Sequence, residues 1–190
     1  MLFRSTVALS GSEVSPDGRY LAWGASSGGS DWQEWRVREI ASGKDTDDHL
    51  RWVKFSGASW ARDASGFYYS RYHAPGENQL KAVNEQHQVW FHRLGTPQSE
   101  DVLVYRRPDQ PKWLIGAEVS DDGRYLVLTV NAGSAGNNRV FYRDLAVAGG
   151  EVVELLPDDD AEYEFVGNQG PVFWFRSNAQ APRYRLIAID

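Results

Sequence analysis

Apolar and polar positions alternate along this chain in short runs broken by polar turns. From Glu13 the order is Glu13-Val14-Ser15, then Pro16-Asp17-Gly18, then Arg19-Tyr20-Leu21-Ala22. The same order returns at Glu118 to Val127, more loosely at Ser59 to Tyr69, and in worn form at Glu164 to Phe173. The anchoring glycines are read as Gly18, Gly66, Gly123 and Gly170, spaced 48, 57 and 47 residues apart. Proline presets φ and glycine accepts φ > 0, so each polar break is a tight turn between two strands. Strand pairs recurring every roughly 40–50 residues are the mark of β-propeller blades.

Each unit offers up to four strands. The first takes Glu13 to Ser15, Arg19 to Trp23, Trp32 to Ile40 and His49 to Val53. The second takes Ala58 to Ala61, Gly66 to Arg71, Gln88 to Leu94 and Val102 to Tyr105. The third takes Gly116 to Ser120, Tyr125 to Val130, Arg139 to Leu145 and Val152 to Leu156. The last has only three: Tyr163 to Val166, Pro171 to Arg176 and Arg183 to Ile189. The expected fold is all-β, a partial β-propeller of about four blades of four-stranded antiparallel sheet with the last incomplete. Blades are expected near 11–55, 56–106, 115–157 and 161–190, within a propeller domain at 6–190, after a truncated or non-native leader at 1–5. A propeller ring takes about 4–8 blades. Two arrangements are open: a four-bladed ring closed by Thr6 to Ser10, or part of a larger propeller. The abrupt stop after a third strand favours the second.

Strand order also sorts the loops. The turns joining strands 1–2 and 3–4 lie on one face of the disc and are short. The strand 2–3 loops and blade-to-blade connections lie on the other and are long and varied: Gly24 to Asp31, Tyr72 to Gln86, Arg106 to Leu114 and Asn131 to Asn138. Function gathers on varied loops held by a rigid scaffold, so the second face is where chemistry is expected.

Composition narrows the partners. Of the 190 residues, 13% are aromatic, with eight Trp, nine Tyr and eight Phe, which suits packed sheets and not disorder. A net charge of −6 without a basic patch argues against nucleic acid and against an anionic membrane surface. No apolar run reaches the roughly 18 residues of a membrane helix. There is no cysteine, so thiol chemistry is excluded.

Catalytic constellations do not assemble. Gly24-Ala25-Ser26-Ser27-Gly28 fits the G-x-S-x-G spacing of a hydrolase elbow, but a loop and a strand follow it where a helix is required. His49, His73, His87 and His92 lack metal-ligand spacing, and His92 reads as packed or surface. Asp158-Asp159-Asp160, and likewise Asp45, Asp47 and Asp48, read as solvated turns. No metal or cofactor is expected.

Several longer stretches resemble the propeller of the prolyl oligopeptidase (prolyl endopeptidase) family: Gly29 to Trp32, Leu50 to Ser56, Phe67 to Tyr72, His92 to Asp101, Asn138 to Val140 and Ala181 to Leu186. They occur in the family's order and span Thr6 to Asp190. The resemblance implies a serine-type peptidase that cuts short peptides after proline. In it a seven-bladed, unclosed propeller caps an α/β-hydrolase domain carrying the Ser/Asp/His triad. This chain would be an internal portion, inert alone, whose partners are short proline-containing peptides and the missing hydrolase domain of a monomeric parent. The implied compartment is the cytoplasm, with the periplasm left open. The alternative is a stand-alone propeller that binds without catalysis. Residue by residue, the resemblance carries substrate-pocket roles to Phe55, Leu114 and Ser134, and an interdomain role to Asp31 and Trp32. At Ser134 to Asn137 the sequence departs from the family's acidic-proline pair. Phe55 and Leu114 fall in blade connections and Ser134 in a 2–3 loop, all on the face chosen by strand order.

Overall fold

A computed structural model describes residues 6–74, 84–133 and 136–190. These residues form fourteen strands, with no α-helix among them. The first two blades share one seven-stranded antiparallel sheet in chain order, β1 (Val7–Val14), β2 (Tyr20–Ser27), β3 (Gln33–Glu39), β4 (Lys44–Trp60), β5 (Gly66–Arg71), β6 (Gln88–Arg93) and β7 (Val102–Tyr105). The third blade is β8 (Leu114–Val119), β9 (Tyr125–Asn131), β10 (Arg139–Asp144) and β11 (Val152–Leu156). The fourth is β12 (Tyr163–Gln169), β13 (Val172–Ser177) and β14 (Arg185–Ile189). The all-β partial propeller expected from the sequence is the fold observed.

Two details differ from expectation. The outer strand of the first blade and the inner strand of the second are one 17-residue strand, β4, which bends at register shifts instead of breaking. The segment proposed for ring closure pairs inside the first blade, with Ala8 opposite Ser26 and Leu9 opposite Ala25. It does not reach β14, so the four-bladed ring is not formed.

Both sides of an internal blade are buried because strand side chains alternate. In β9, Leu126, Leu128 and Val130 pack with Val89 and Ile115 toward the second blade, while Tyr125 and Val127 pack with Tyr163 and Phe173 toward the fourth. Between the first two blades, Trp35, Val37 and Leu50 meet Trp60, Phe67 and Tyr69. A buried aromatic removes about 150–250 Å² from water, worth roughly 4–6 kcal/mol at about 25 cal/mol per Å². A typical hydrogen bond nets about 1 kcal/mol. Packing therefore holds the blades, and hydrogen bonds set their register.

The repeated turn has a physical cause. Buried Ser15 donates from Oγ to Asp17 (2.6 Å), accepts from the Tyr20 amide (2.9 Å), and its carbonyl accepts from Gly18 (2.8 Å). Ser120 repeats this with Asp122 (2.7 Å), Tyr125 (2.9 Å) and Gly123 (2.7 Å). In the second blade the position of Gly18 is taken by Ala64, at φ 56°, and Gly66 stands where Tyr20 does. Gly66 is thus not the turn glycine. It is small because a Cβ there would lie 2.0 Å from the His92 carbonyl oxygen.

A buried polar clamp crosses the first seam. His92, with no exposed side-chain surface, lies 2.9 Å from Asp48 on β4 and 2.7 Å from Asp101 before β7. Asp48 also accepts from Thr46 and Gly95, and Asp101 from Tyr69. Asp48 is therefore not in a solvated turn. It shares the buried side of β4 with Leu50, two residues on. Burial alone would depress the His92 imidazole, but hydrogen bonds and charge from Asp101 and Asp48 outweigh it and lift it to about 9. Burial acts to raise the Asp48 carboxyl, yet bonds from His92, Thr46 and Gly95 hold it below its usual range.

A raised imidazole stabilises fully below its unfolded value, near 6.5, and the gain disappears as pH rises through about 9. The lowered Asp48 contributes above the ordinary carboxylate range and loses its contribution in acid. Denaturant unfolding is expected to show roughly 2–3 kcal/mol lost between pH 7 and pH 10, and His92→Gln is expected to flatten that slope.

Candidate functional site

The 2–3 loops and blade connections meet on one face. The β2–β3 loop delivers Asp31 and Trp32. The bend in β4 delivers Trp52, Lys54 and Phe55, and the chain around β5 and β6 delivers Tyr72, Asn84 and His87. The connection into β8 delivers Leu114.

The bend is made by two non-glycine residues with left-handed backbone, Trp52 at φ 63° and Phe55 at φ 56°. Such residues cost of order 1–3 kcal/mol each and persist only where their surroundings hold them. Here side chains and loop backbone do so. Gln98 accepts from the Arg51 amide and donates to the Arg51 carbonyl, both at 3.0 Å. The Tyr72 amide donates to the Trp52 carbonyl at 3.1 Å. His87 Nε2 donates to the Lys54 carbonyl at 3.0 Å, and its Nδ1 accepts from the Ile115 amide at 3.0 Å. Ser70 makes a second bridge as a double donor: its amide donates to Ser56 Oγ (2.7 Å) and its hydroxyl donates to the Ile115 carbonyl (2.6 Å).

His87 and Ser70 are thus two struts joining the segment around Phe55 to the segment beginning at Leu114. Burial pushes the His87 imidazole down to about 4, against a small opposing effect of the Lys54 carbonyl. It is neutral near pH 7, with one nitrogen donating and the other accepting, as the geometry needs. The Trp113 ring, beside Leu114, has the Arg107 guanidinium 4.7 Å and that of Arg139 5.1 Å from its centroid.

An aromatic cluster surrounds one cation. Trp32 packs edge-on against Trp52 (6.2 Å) and Tyr72 (6.0 Å). Lys54 Nζ lies 5.4 Å from the Trp32 ring and 5.0 Å from that of Phe55. It pairs with Asp31 at 3.3 Å and donates to Asn84 at 3.4 Å. Trp32 and Trp52 also line a cavity of about 390 Å³ with Arg51 and Glu34. Phe55 is 50% exposed, although its neighbour Lys54 is buried.

The structure therefore brings Asp31, Trp32 and Phe55 together around Lys54, while Leu114 precedes Ile115, where the struts attach. Ser134 lies outside the described residues. Lys54, Trp52 and Tyr72 were not singled out from the sequence, and His87 was read only as lacking metal-ligand spacing. Apolar neighbours hid Lys54 within Val53-Lys54-Phe55, and nothing in local spacing pairs His87 with a residue 28 positions away.

No catalytic group assembles here. Ser26 lies in β2 opposite Gln33, so the G-x-S-x-G stretch is a strand and not an elbow. Among the described residues no cluster of His, Cys, Asp or Glu could hold a metal ion, and no helix is long and apolar enough to cross a membrane. The arrangement places aromatic rings beside one buried cation.

These features define a propeller segment whose loop face carries an aromatic cluster beside one buried cation. Residues 4–190 match the family described as prolyl oligopeptidase, N-terminal β-propeller domain, and the chain belongs to that family. Prolyl oligopeptidase A from Amanita bisporigera is 32% identical over 97% of this chain, and prolyl endopeptidase from Elizabethkingia meningoseptica 33% over 97%. Among solved structures, one from a mechanistic study of two prolyl endopeptidases superposes with a TM-score of 0.89 at 39% identity over 97% of this chain and 26% of the other. Prolyl oligopeptidase B from Galerina marginata, bound to a 35mer hydrolysis and macrocyclization substrate, gives 0.89 at 28% identity over 97% and 27%. The chain spans about a quarter of the curated relatives it matches, 27% of the first and 26% of the second.

Replacing His87 by Leu is expected to cost about 2–4 kcal/mol, because the Lys54 carbonyl and Ile115 amide each lose a buried partner. Phe55→Asn relieves a left-handed phenylalanine, so stability is expected to hold or rise by up to about 1 kcal/mol. Urea unfolding of both variants checks the contrast. A large loss at Phe55 would make it a core residue.

Proposed function

We propose that this chain is the propeller portion of a serine-type prolyl oligopeptidase that hydrolyses short peptides after proline. In this reading the propeller controls access to a separate α/β-hydrolase domain. Its loop and connection face lines the outer part of the substrate pocket through Phe55 and Leu114, with Ser134 carried as a third position by resemblance alone. Asp31 and Trp32 stand where that face would meet the hydrolase domain.

One observation carries most of the reading. A large aromatic, Phe55, is half exposed on a backbone that disfavours it, while its surroundings are pinned by buried polar struts. Strain that surrounding structure holds in place is characteristic of binding positions. A proline ring and its neighbours offer apolar surface that matches such a wall. Relatives named as a prolyl oligopeptidase and a prolyl endopeptidase, each matched across 97% of the chain, support the same class of substrate.

A chromogenic blocked Gly-Pro amide tests this. The 190-residue chain is expected to give no turnover, whereas the polypeptide joining it to a hydrolase domain is expected to cleave the amide. In that polypeptide Phe55→Ala should raise KM about tenfold with little change in kcat, the pattern of lost uniform binding. Turnover by the 190-residue chain alone, or a kcat effect without a KM effect, contradicts the proposal.

A further inference from the structure

We propose that Lys54 is a recognition point for a carboxylate of a short peptide, which takes the place of Asp31 on the ammonium. The inference deepens the reading of this face as a peptide surface and rests on it.

The lysine side chain is only 10% exposed, while that of Asp31 is 66% exposed. A buried cation therefore has its carboxylate partner on a solvent-facing loop. Among the described residues Asp31 is the one carboxylate within ion-pair distance of it. The pairing is loose: 3.3 Å to Asp31 and 3.4 Å to Asn84, against about 2.7–2.9 Å for a well-made charge-assisted bond. Asp31 follows Gly28, Gly29 and Ser30, and both glycines have positive φ with open space about them. The Gly28 amide anchors the start of that loop on the Thr6 carbonyl at 2.7 Å, and a Cβ at either glycine would meet nothing within 4 Å.

Exchanging one carboxylate for another leaves the ammonium paired throughout. The desolvation of Lys54 is already met by folding, so an incoming anion does not have to bring it about. The exchange is also selective. A neutral amide cannot replace Asp31 without loss of an ion pair, whereas a carboxylate can.

The surroundings fix where such a group would bind. Rings of Trp32 and Phe55 flank Nζ at 5.4 and 5.0 Å, so a carboxylate there lies beside apolar surface suited to the rest of the peptide. The Lys54 carbonyl is held by His87, which stops the backbone from following the side chain outward. The carboxylate has two sources, the peptide's own C-terminus or an Asp or Glu side chain, and a test can separate them.

The experiment titrates the 190-residue chain by calorimetry at low ionic strength and pH 7. Three N-acetylated proline tripeptides serve as probes: one with a free C-terminal carboxylate, its C-terminal amide, and an amide carrying a Glu side chain. The acid is expected to bind about tenfold tighter than the plain amide, the scale of one charge-assisted bond. Lys54→Met should remove that ratio and Lys54→Arg should keep it. Asp31→Asn should tighten the acid several-fold and leave the amide unchanged, which a purely structural lysine would not produce. A Glu amide tighter than the acid assigns a side-chain carboxylate, a weaker one assigns the C-terminus, and equal affinity above the plain amide means that Lys54 takes either. Equal binding of all three probes, or a ratio that survives Lys54→Met, overturns the inference while the peptide surface stands. Absence of binding by every probe overturns both. If Lys54→Met does not fold, acid affinity unchanged by Asp31→Asn overturns the inference on its own.

Discussion

The candidate site depends on one buried neutral imidazole. His87 takes a proton donor from one blade connection and offers a donor to another, and it can do both only while uncharged. Burial keeps it so, at about 4. Without that bridge the Lys54 carbonyl and Ile115 amide would be unpaired in the interior, at about 1–3 kcal/mol each. Ser70 adds a second bridge between the same segments. Together they let β4 keep two left-handed non-glycine residues, and those residues turn Phe55 outward and Lys54 inward.

The two blade seams beside this site use opposite electrostatics. His92 is held charged by two carboxylates, and His87 is held neutral by burial among backbone groups. Residue type alone does not separate them. What separates them is whether acids share the buried space. The charged histidine ties β4 to the second blade near the short turns, and the neutral one ties blade connections on the loop face. Between them the long strand is fastened at Asp48 and again at Lys54, so its bend is held from both sides.

The fold was legible because its repeat is local. Ser15 and Ser120 each satisfy their turn within six residues, so sequence and structure carry the same unit. Gly66 was misplaced because the worn second copy uses Ala64 at the turn and needs glycine for a different reason, contact with the His92 carbonyl. Asp48 carried a readable signal: it lies two residues from Leu50 and so on its buried side. The face bearing Asp31, Trp32 and Phe55 followed from strand order together with resemblance. Lys54 and His87 did not, because their roles come from contacts 23 to 33 residues apart in the chain.

A crystal structure of this chain soaked with an acetylated proline tripeptide tests most directly whether this face binds peptide. Density for the peptide against Phe55 and Trp32, with a carboxylate at Lys54 Nζ and Asp31 turned away, is the predicted result. Peptide bound at the short-turn face near Asp17 and Asp122, with the Lys54–Asp31 pair intact, would contradict it.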